Sequence, residues 1–370
     1  MQAAQIIVLV TPLFFLMIAV EFWVGWRRGR NTYRLNDALN SIGLGMLSQL
    51  VGLLTKLLTL GIYVWVYERA ALFELSAQSP WVWLSGLLLY DLLYYWYHRL
   101  GHTTALLWAA HAVHHQSEDY NLSTALRQTS SGWLLGWLFY LPMAVLGFPP
   151  LVFAVVGLVD LLYQFWVHTQ QVGRLGWFDR WFCSPSNHRV HHAVNDPYLD
   201  RNYGGILIIW DRIFGSFQDE LDTEPCVYGT RDALHSWNPL RANWQVYGAL
   251  LRKARWARGW REWLQICWEP AHWQPAAAPQ APAQAAYDPH TRPLYDPAVP
   301  ALRQGLALAL FGLLLAATTG VLWFSHLLGP WQQAGALLLI AAGLVGVGRL
   351  CSPGAARPLR SPAEGTVASS

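Results

Sequence analysis

Charge is what this sequence has least of. Asp, Glu, Lys and Arg together make up 13% of its 370 residues, against roughly 25% in an ordinary soluble domain. That shortage excludes a disordered chain, a coiled coil and an ordinary cytosolic enzyme, all of which carry charge on solvated surfaces. The net charge of +3 is too small to argue for a nucleic-acid partner. Cysteine is scarce as well. Cys183, Cys226, Cys267 and Cys351 are scattered with no C-x-x-C, which excludes a disulfide framework or a zinc knuckle and suits a reducing compartment. What is abundant is apolar: hydrophobic residues reach 54%, with 22 Trp. The Trp content reads as an interfacial belt, and the whole composition as a multi-span membrane protein. Histidine is also in excess, with 13 copies.

A helix that crosses the hydrocarbon core needs about 20 mostly apolar residues. Segments 6–26, 41–66 and 80–97 meet this with one charged residue each: Glu21, Lys56 and Asp91. Segment 132–168 is long and apolar and is broken by Pro142 and by Pro149 and Pro150, so it reads as a two-helix hairpin with Asp160 in its second arm. Segments 304–326 and 333–348 contain no Asp, Glu, Lys or Arg. The sum is about seven crossings. Arg27, Arg28, Arg30 and Arg34 follow the first segment. By the positive-inside rule the N-terminus is expected outside, with 98–131 and 170–303 in the cytoplasm. Arg349, Arg357 and Arg360 then also lie inside. The first segment is not read as a cleavable signal, since no basic region precedes it and an Arg cluster follows.

The predicted fold class is all-α: a multi-span helical membrane protein, of the inner or cytoplasmic membrane, with a cytoplasmic helical cap holding a histidine-rich di-metal site. Its divisions are N-terminal membrane helices (1–79), a catalytic core (80–222), a cytoplasmic extension (223–269), a Pro/Ala-rich linker (270–303), a C-terminal hairpin (304–349) and a tail (350–370). Two Tyr-Asp-Pro copies, at Tyr287 and Tyr295, are expected to mark where the linker docks.

Nine of the 13 histidines fall in four places: His98 and His102; His111, His114 and His115; His168; and His188, His191 and His192. Residues three and four apart share a helix face. Each H-x-x-H-H triad is therefore expected to aim all three imidazoles at one point. Nine nitrogens suit two metals better than one, and imidazole suits Fe, Zn, Cu or Ni. Soluble di-iron bundles use Glu with Glu-x-x-His; here those acids are missing. A metal-buffering tract would instead be low-complexity and lie in loops. Asp91 shares a face with Tyr95, His98 and His102, and Asp160 with Gln164 and His168. Ligand histidines usually give their second N–H to a carboxylate or carbonyl. Asp91 and Asp160 are thus candidates to serve the site, as is Glu118 just past the first triad. The alternative for the two aspartates is pairing with Lys56 or helix capping. His235, His272, His290 and His326 stand alone and read as structural.

The pattern H-x-x-x-H, H-x-x-H-H, H-x-x-H-H resembles the fatty acid hydroxylase/sterol desaturase superfamily. Stretches 107–128 (LWAAHAVHHQSEDYNLSTALRQ), 163–169 (YQFWVHT), 184–192 (SPSNHRVHH) and 200–217 (DRNYGGILIIWDRIFGSF) look most like its ether-lipid-cleaving branch, the alkylglycerol monooxygenases. The likeness covers residues 32–222 best. It departs at Asn187, where the family often has His, and at Ala193, where it often has Gly. The resemblance implies an O2-dependent monooxygenase with two irons, fed by tetrahydrobiopterin or a similar reduced pterin. It implies hydroxylation of the carbon beside the ether oxygen of an alkylglycerol; the resulting hemiacetal falls apart into a fatty aldehyde and a glycerol derivative. Glu118, Asn121, Arg127 and Gln128 would hold the pterin or the substrate head group, or else brace the interface. A second reading keeps the di-iron site but hydroxylates or desaturates a fatty acyl chain, sterol or carotenoid, with a ferredoxin or cytochrome as electron-donor partner.

Overall fold

The computed structural model describes residues 3–279 and 287–353. The expected tail, with Arg357 and Arg360, and the middle of the linker lie outside the described residues. Fourteen α-helices account for most of the rest, and among the described residues there is no strand, only isolated bridges pairing Phe182 with Leu207 and Ala193 with Tyr228.

Four helices are long and apolar enough to cross a membrane: α1 (Ala3–Arg27), the first part of α2 (Leu35–Ala70), α13 (Ala301–Trp323) and α14 (Pro330–Leu350). That is three fewer than the crossings expected, and the segment at 80–97 and the two arms of the hairpin make up the difference. α3 (Pro80–Thr103) has the length, but it carries Asp91, His98, Arg99 and His102 and is not among the four. The first arm of the expected hairpin does not form a continuous helix. It coils as two 3-10 turns, Gly132–Leu134 and Gly136–Tyr140, before α6 (Leu141–Val145). Gly132 and Gly136 weaken a helix, and Pro142, which lacks an N–H, starts a new one at its first turn. The chain then reverses at Gly147, whose φ of +88° suits glycine and whose missing Cβ leaves room for the Phe73 carbonyl. The second arm, α7 (Pro150–Trp166), has 17 residues, about 26 Å at 1.5 Å per residue.

α2 is the spine. It has 36 residues, roughly 54 Å, more than a bilayer core of about 30 Å. Its first half packs Leu39, Met46, Leu47 and Leu50 against Phe311, Ile340, Leu344 and Val347 of the C-terminal hairpin. Its second half packs Tyr63 against Val82 of α3, Met143 and Ala144 of α6, and Val152 and Val156 of α7. α1 packs on α13 and on α5 (Leu122–Ala125), placing Phe14, Met17 and Ile18 against Leu122, Ala125 and Phe165.

The remaining helices are short and build the cap: α4 (Ala105–His115), α5 (Leu122–Ala125), α8 (Phe178–Trp181), α9 (Pro185–His192), α10 (Ile209–Phe214), α11 (Pro239–Ala254) and α12 (Trp260–Trp268). The described end of the linker docks where the tyrosines foretold. Tyr295 packs on His235 and Trp237, with ring centroids 5.7 and 5.2 Å away, and Arg231 lies over the Tyr287 ring.

Candidate metal centre

The site is built by four short pieces of backbone. The C-terminal end of α3 carries His98 and His102. α4 folds back after Thr104 and carries His111, His114 and His115. His168 sits just beyond α7. α9 carries His188, His191 and His192, and is started by Ser184, whose hydroxyl accepts the Asn187 N–H, and by Pro185 in its first turn.

The nine imidazoles fall into two groups: His98, His102, His111, His115 and His191, and His114, His168, His188 and His192. Within each group the ligand nitrogens lie within 4.8 Å of one another. The expectation that each triad converges on one point is corrected here. In the first triad His111 and His115 serve one group and His114 the other; in the second, His188 and His192 serve one and His191 the other. Positions 0 and 4 lie about 40° apart along one edge of the helix, and position 3 lies on the neighbouring edge, about 60° from position 0 and about 100° from position 4. Each triad therefore spans both groups, and α4 and α9 do so in opposite senses.

The geometry fits metal ions. His98 Nε2 and His115 Nε2 each lie 3.0 Å from His111 Nε2. In the other group the successive Nε2 separations, His114 to His168, His168 to His188 and His188 to His192, are 3.1, 3.1 and 3.2 Å. Nitrogens about 2.1 Å from a metal and at right angles would be roughly 3.0 Å apart. His102 Nε2 and His191 Nε2 are buried with no hydrogen-bond partner, an arrangement that costs free energy unless something else accepts the lone pair. Burial pushes His111, His115, His188, His191 and His192 well below the usual imidazole range, with the neighbouring imidazoles adding to it, and burial pushes His114 down to about 4. These rings are neutral, and a neutral imidazole is the form that binds metal.

Four of the second ring nitrogens are held by backbone. His98 Nδ1 faces the Tyr203 carbonyl at 2.8 Å, His114 Nδ1 that of Arg127 at 2.8 Å, His168 Nδ1 that of Gln164 at 2.8 Å and His191 Nδ1 that of Arg201 at 3.0 Å. Such contacts fix the tautomer and leave Nε2 free for a metal.

The carboxylates suggested by helix spacing sit one step further back. Asp91 accepts the N–H groups of Ile206 (2.7 Å) and Leu207 (3.1 Å) and the Trp210 indole (2.8 Å). It thus pins the loop that supplies the Tyr203 carbonyl. Asp160 accepts from the Gln164 amide at 2.7 Å, and its other oxygen is buried without a partner. Glu118 is taken by the docked linker, through Arg292 and the Tyr295 N–H, and belongs to neither histidine group. Asn121 caps α5 and bonds the Thr32 carbonyl; Gln128 bonds the Ala125 carbonyl. Arg127 is fully buried, reaching the Val113 carbonyl, Asn40 and Gln116. The four isolated histidines stay out of both groups; His290, for instance, pairs with Glu224 at 3.0 Å.

Residues 83–216 match the fatty acid hydroxylase family model. Alkylglycerol monooxygenase of Homo sapiens is 44% identical over 232 residues, covering 62% of this chain and 52% of that protein. Its counterpart in Danio rerio is 39% identical over 266 residues, 72% of this chain and 59% of its own. An ornithine lipid hydroxylase of Rhizobium tropici is 31% identical over 135 residues, 36% and 41% of the two chains. The chain thus spans between half and three fifths of the length of these two alkylglycerol monooxygenases. No solved structure matches it.

Sequence reasoning missed several residues that shape the region matching the family model. Arg189, between two ligands, is buried and forms a bidentate pair with Glu220 (2.8 and 2.7 Å) while donating to the Thr169 and Val172 carbonyls. A charged residue inside the second triad was a visible signal; Glu220, in a loop, offered none. Asp211 accepts the N–H groups of Tyr203 and Gly204 and the Ser216 hydroxyl. Burial raises its carboxyl to about 6, and those three donors oppose the rise.

Proposed function

We propose that this chain is a lipid monooxygenase of the membrane, with the core at 80–222 holding two irons and cleaving the ether bond of alkylglycerols. The observation that carries the reading is the five-plus-four partition of nine neutral imidazoles, seven of them in buried residues, inside the region that matches the hydroxylase family model. The likeness to alkylglycerol monooxygenases supports the substrate class. Two irons bound to these histidines, with a reduced pterin such as tetrahydrobiopterin as the electron source, would supply the activation of O2 and the insertion of one oxygen atom into a C–H bond.

The chain's own residues supply the rest. Backbone carbonyls of Arg127, Gln164, Arg201 and Tyr203 keep the imidazoles in one tautomer and orientation. Burial of the nine rings excludes bulk water, which protects a strong oxidant from side reactions. A small cavity lined by Tyr94, Tyr97, Gly101 and Leu107 adjoins His98 and His111, and supports approach of an alkyl carbon to the five-histidine group from that side. Asp91 and Asp160 act on the ligands through backbone and Gln164, and Glu118, Asn121, Arg127 and Gln128 frame the cap on which a head group or pterin would rest. The N-terminus is placed outside, with the histidine site and C-terminus cytoplasmic, by the distribution of arginines.

Membranes carrying the protein, given an alkylglycerol, O2 and reduced pterin, should release fatty aldehyde, and His114→Ala should abolish it. Full activity in that variant would refute the reading. The likeness to an ornithine lipid hydroxylase favours a second outcome, in which a hydroxylated lipid accumulates without cleavage and the electrons come from a ferredoxin or cytochrome. Lipid profiling of the same reaction separates the two.

A further inference from the structure

Two cap helices that carry no ligand turn their apolar sides outward. α12 buries Ile266, which with Leu250 of α11 packs against Ala105 and Ala109 of α4. Its Trp260, Trp263, Leu264 and Trp268 lie together on the opposite side by helical spacing, and all four are exposed. α11 repeats the arrangement. Leu240, Trp244 and Leu251 form an exposed stripe, while Ala242, Gly248 and Leu250 face inward. Trp256, between the helices, is exposed too.

Arginines stand beside this surface. Arg241, Arg252, Arg255, Arg258 and Arg261 are exposed, and among the described residues none of them forms an ion pair. The only acid in 239–268 is Glu262, whose carboxylate accepts the Arg258 N–H at 2.6 Å. Lys253 turns inward to the Ala271 and Trp273 carbonyls.

An exposed Trp/Leu face flanked by unneutralised Arg suits one kind of partner, a bilayer surface with anionic head groups. The apolar face enters the boundary between head groups and acyl chains, Trp sits at head-group depth, and Arg meets lipid phosphate. A chain with four membrane-length helices has a bilayer within reach. We propose that α11 and α12 form a foot that lies on the membrane and binds anionic lipid. The foot packs directly on α4, the helix bearing His111, His114 and His115, so it sets the membrane surface beside the metal centre. This holds whichever lipid is oxidised.

The test uses the full chain in nanodiscs, with a spin label at Leu264→Cys in a background with Cys226→Ser and Cys267→Ser. Accessibility is measured to lipid-phase O2 and to an aqueous nickel chelate. In discs containing phosphatidylglycerol the label should favour O2. Phosphatidylcholine alone, or Arg252→Gln, Arg255→Gln, Arg258→Gln and Arg261→Gln together, should shift it toward the aqueous reagent, with metal content unchanged. A label favouring the aqueous reagent in every lipid overturns the proposal. So does a label shielded from both reagents, which would mean a protein partner or a second copy covers the face. Equal immersion with and without anionic lipid overturns the arginine role.

Discussion

At the scale of single residues, the centre depends on histidines held neutral. Their ordinary value in an unfolded chain is about 6.5, and burial depresses it in the fold, to about 4 for His114. Above the unfolded value neither state binds protons and the stability of the metal-free fold is fully present. As pH falls below it, the unfolded histidines take up protons that the folded ones cannot. Stability is then lost, at about 1.4 kcal/mol per pH unit for each such group, until pH passes the folded value. The melting temperature of the metal-free protein should therefore drop between pH 7 and 5, and bound metal should deepen the dependence, because its ligands must stay deprotonated. A flat profile would mean these imidazoles are not buried neutral. That these histidines gather was legible in the sequence because H-x-x-x-H and H-x-x-H-H combine a rare residue with helical spacing. Their partition was not: spacing puts three rings on one side of a helix without saying how many ions that side faces.

At the scale of elements, the loop 203–210 positions the first group although it contains no ligand. Asp91 and Asp211 clamp it, and Gly205 lets it pass close to both Asp91 and Asp160: a Cβ there would lie 2.7 Å from an Asp160 oxygen and 2.9 Å from the Tyr94 ring. Gly205→Ala should destabilise the fold by roughly 1–3 kcal/mol, the cost of overpacking a closed interior, and lower metal occupancy. Asp91→Asn should cost a similar roughly 1–3 kcal/mol by leaving a buried N–H without an acceptor. Thermal melts and metal analysis on the two variants check both. The helical spacing of Asp91 with His98 was readable in the sequence; that its partners are amides 115 and 116 residues away was not, because no local pattern encodes a contact made by a loop. The first arm of the 132–168 hairpin shows the reverse. Hydropathy there suggested a span, but Gly132, Gly136 and Pro142 outweighed it.

At the scale of the molecule, the linker ties the C-terminal hairpin back to the part of the chain that holds the histidines. Arg292 bonds Glu118 and the Thr230 carbonyl, the Tyr295 N–H bonds Glu118, and Asn36 of α2 bonds Asp296 at 3.0 Å. Glu118→Gln removes the charge facing Arg292 without touching a histidine. It should make 287–300 more sensitive to protease while leaving metal content intact; loss of metal would place Glu118 in the centre itself. The two Tyr-Asp-Pro copies made this docking visible in sequence, since aromatic residues in a Pro/Ala tract need a surface to bury against. The number of membrane-length helices was less legible, because buried cap helices and membrane helices share an apolar composition and differ in length and charge placement.

The central claim is a two-metal centre in which each triad serves both ions, and counting metal per chain in paired histidine variants tests it most directly. The intact protein should hold two ions. His114→Ala and His168→Ala should each lose one, and the two together no more than either alone, because they belong to one group. His114→Ala combined with His111→Ala, neighbours on one helix turn, should lose both. A single ion in the intact protein, or loss of the same ion from His111→Ala and His114→Ala, would contradict the account.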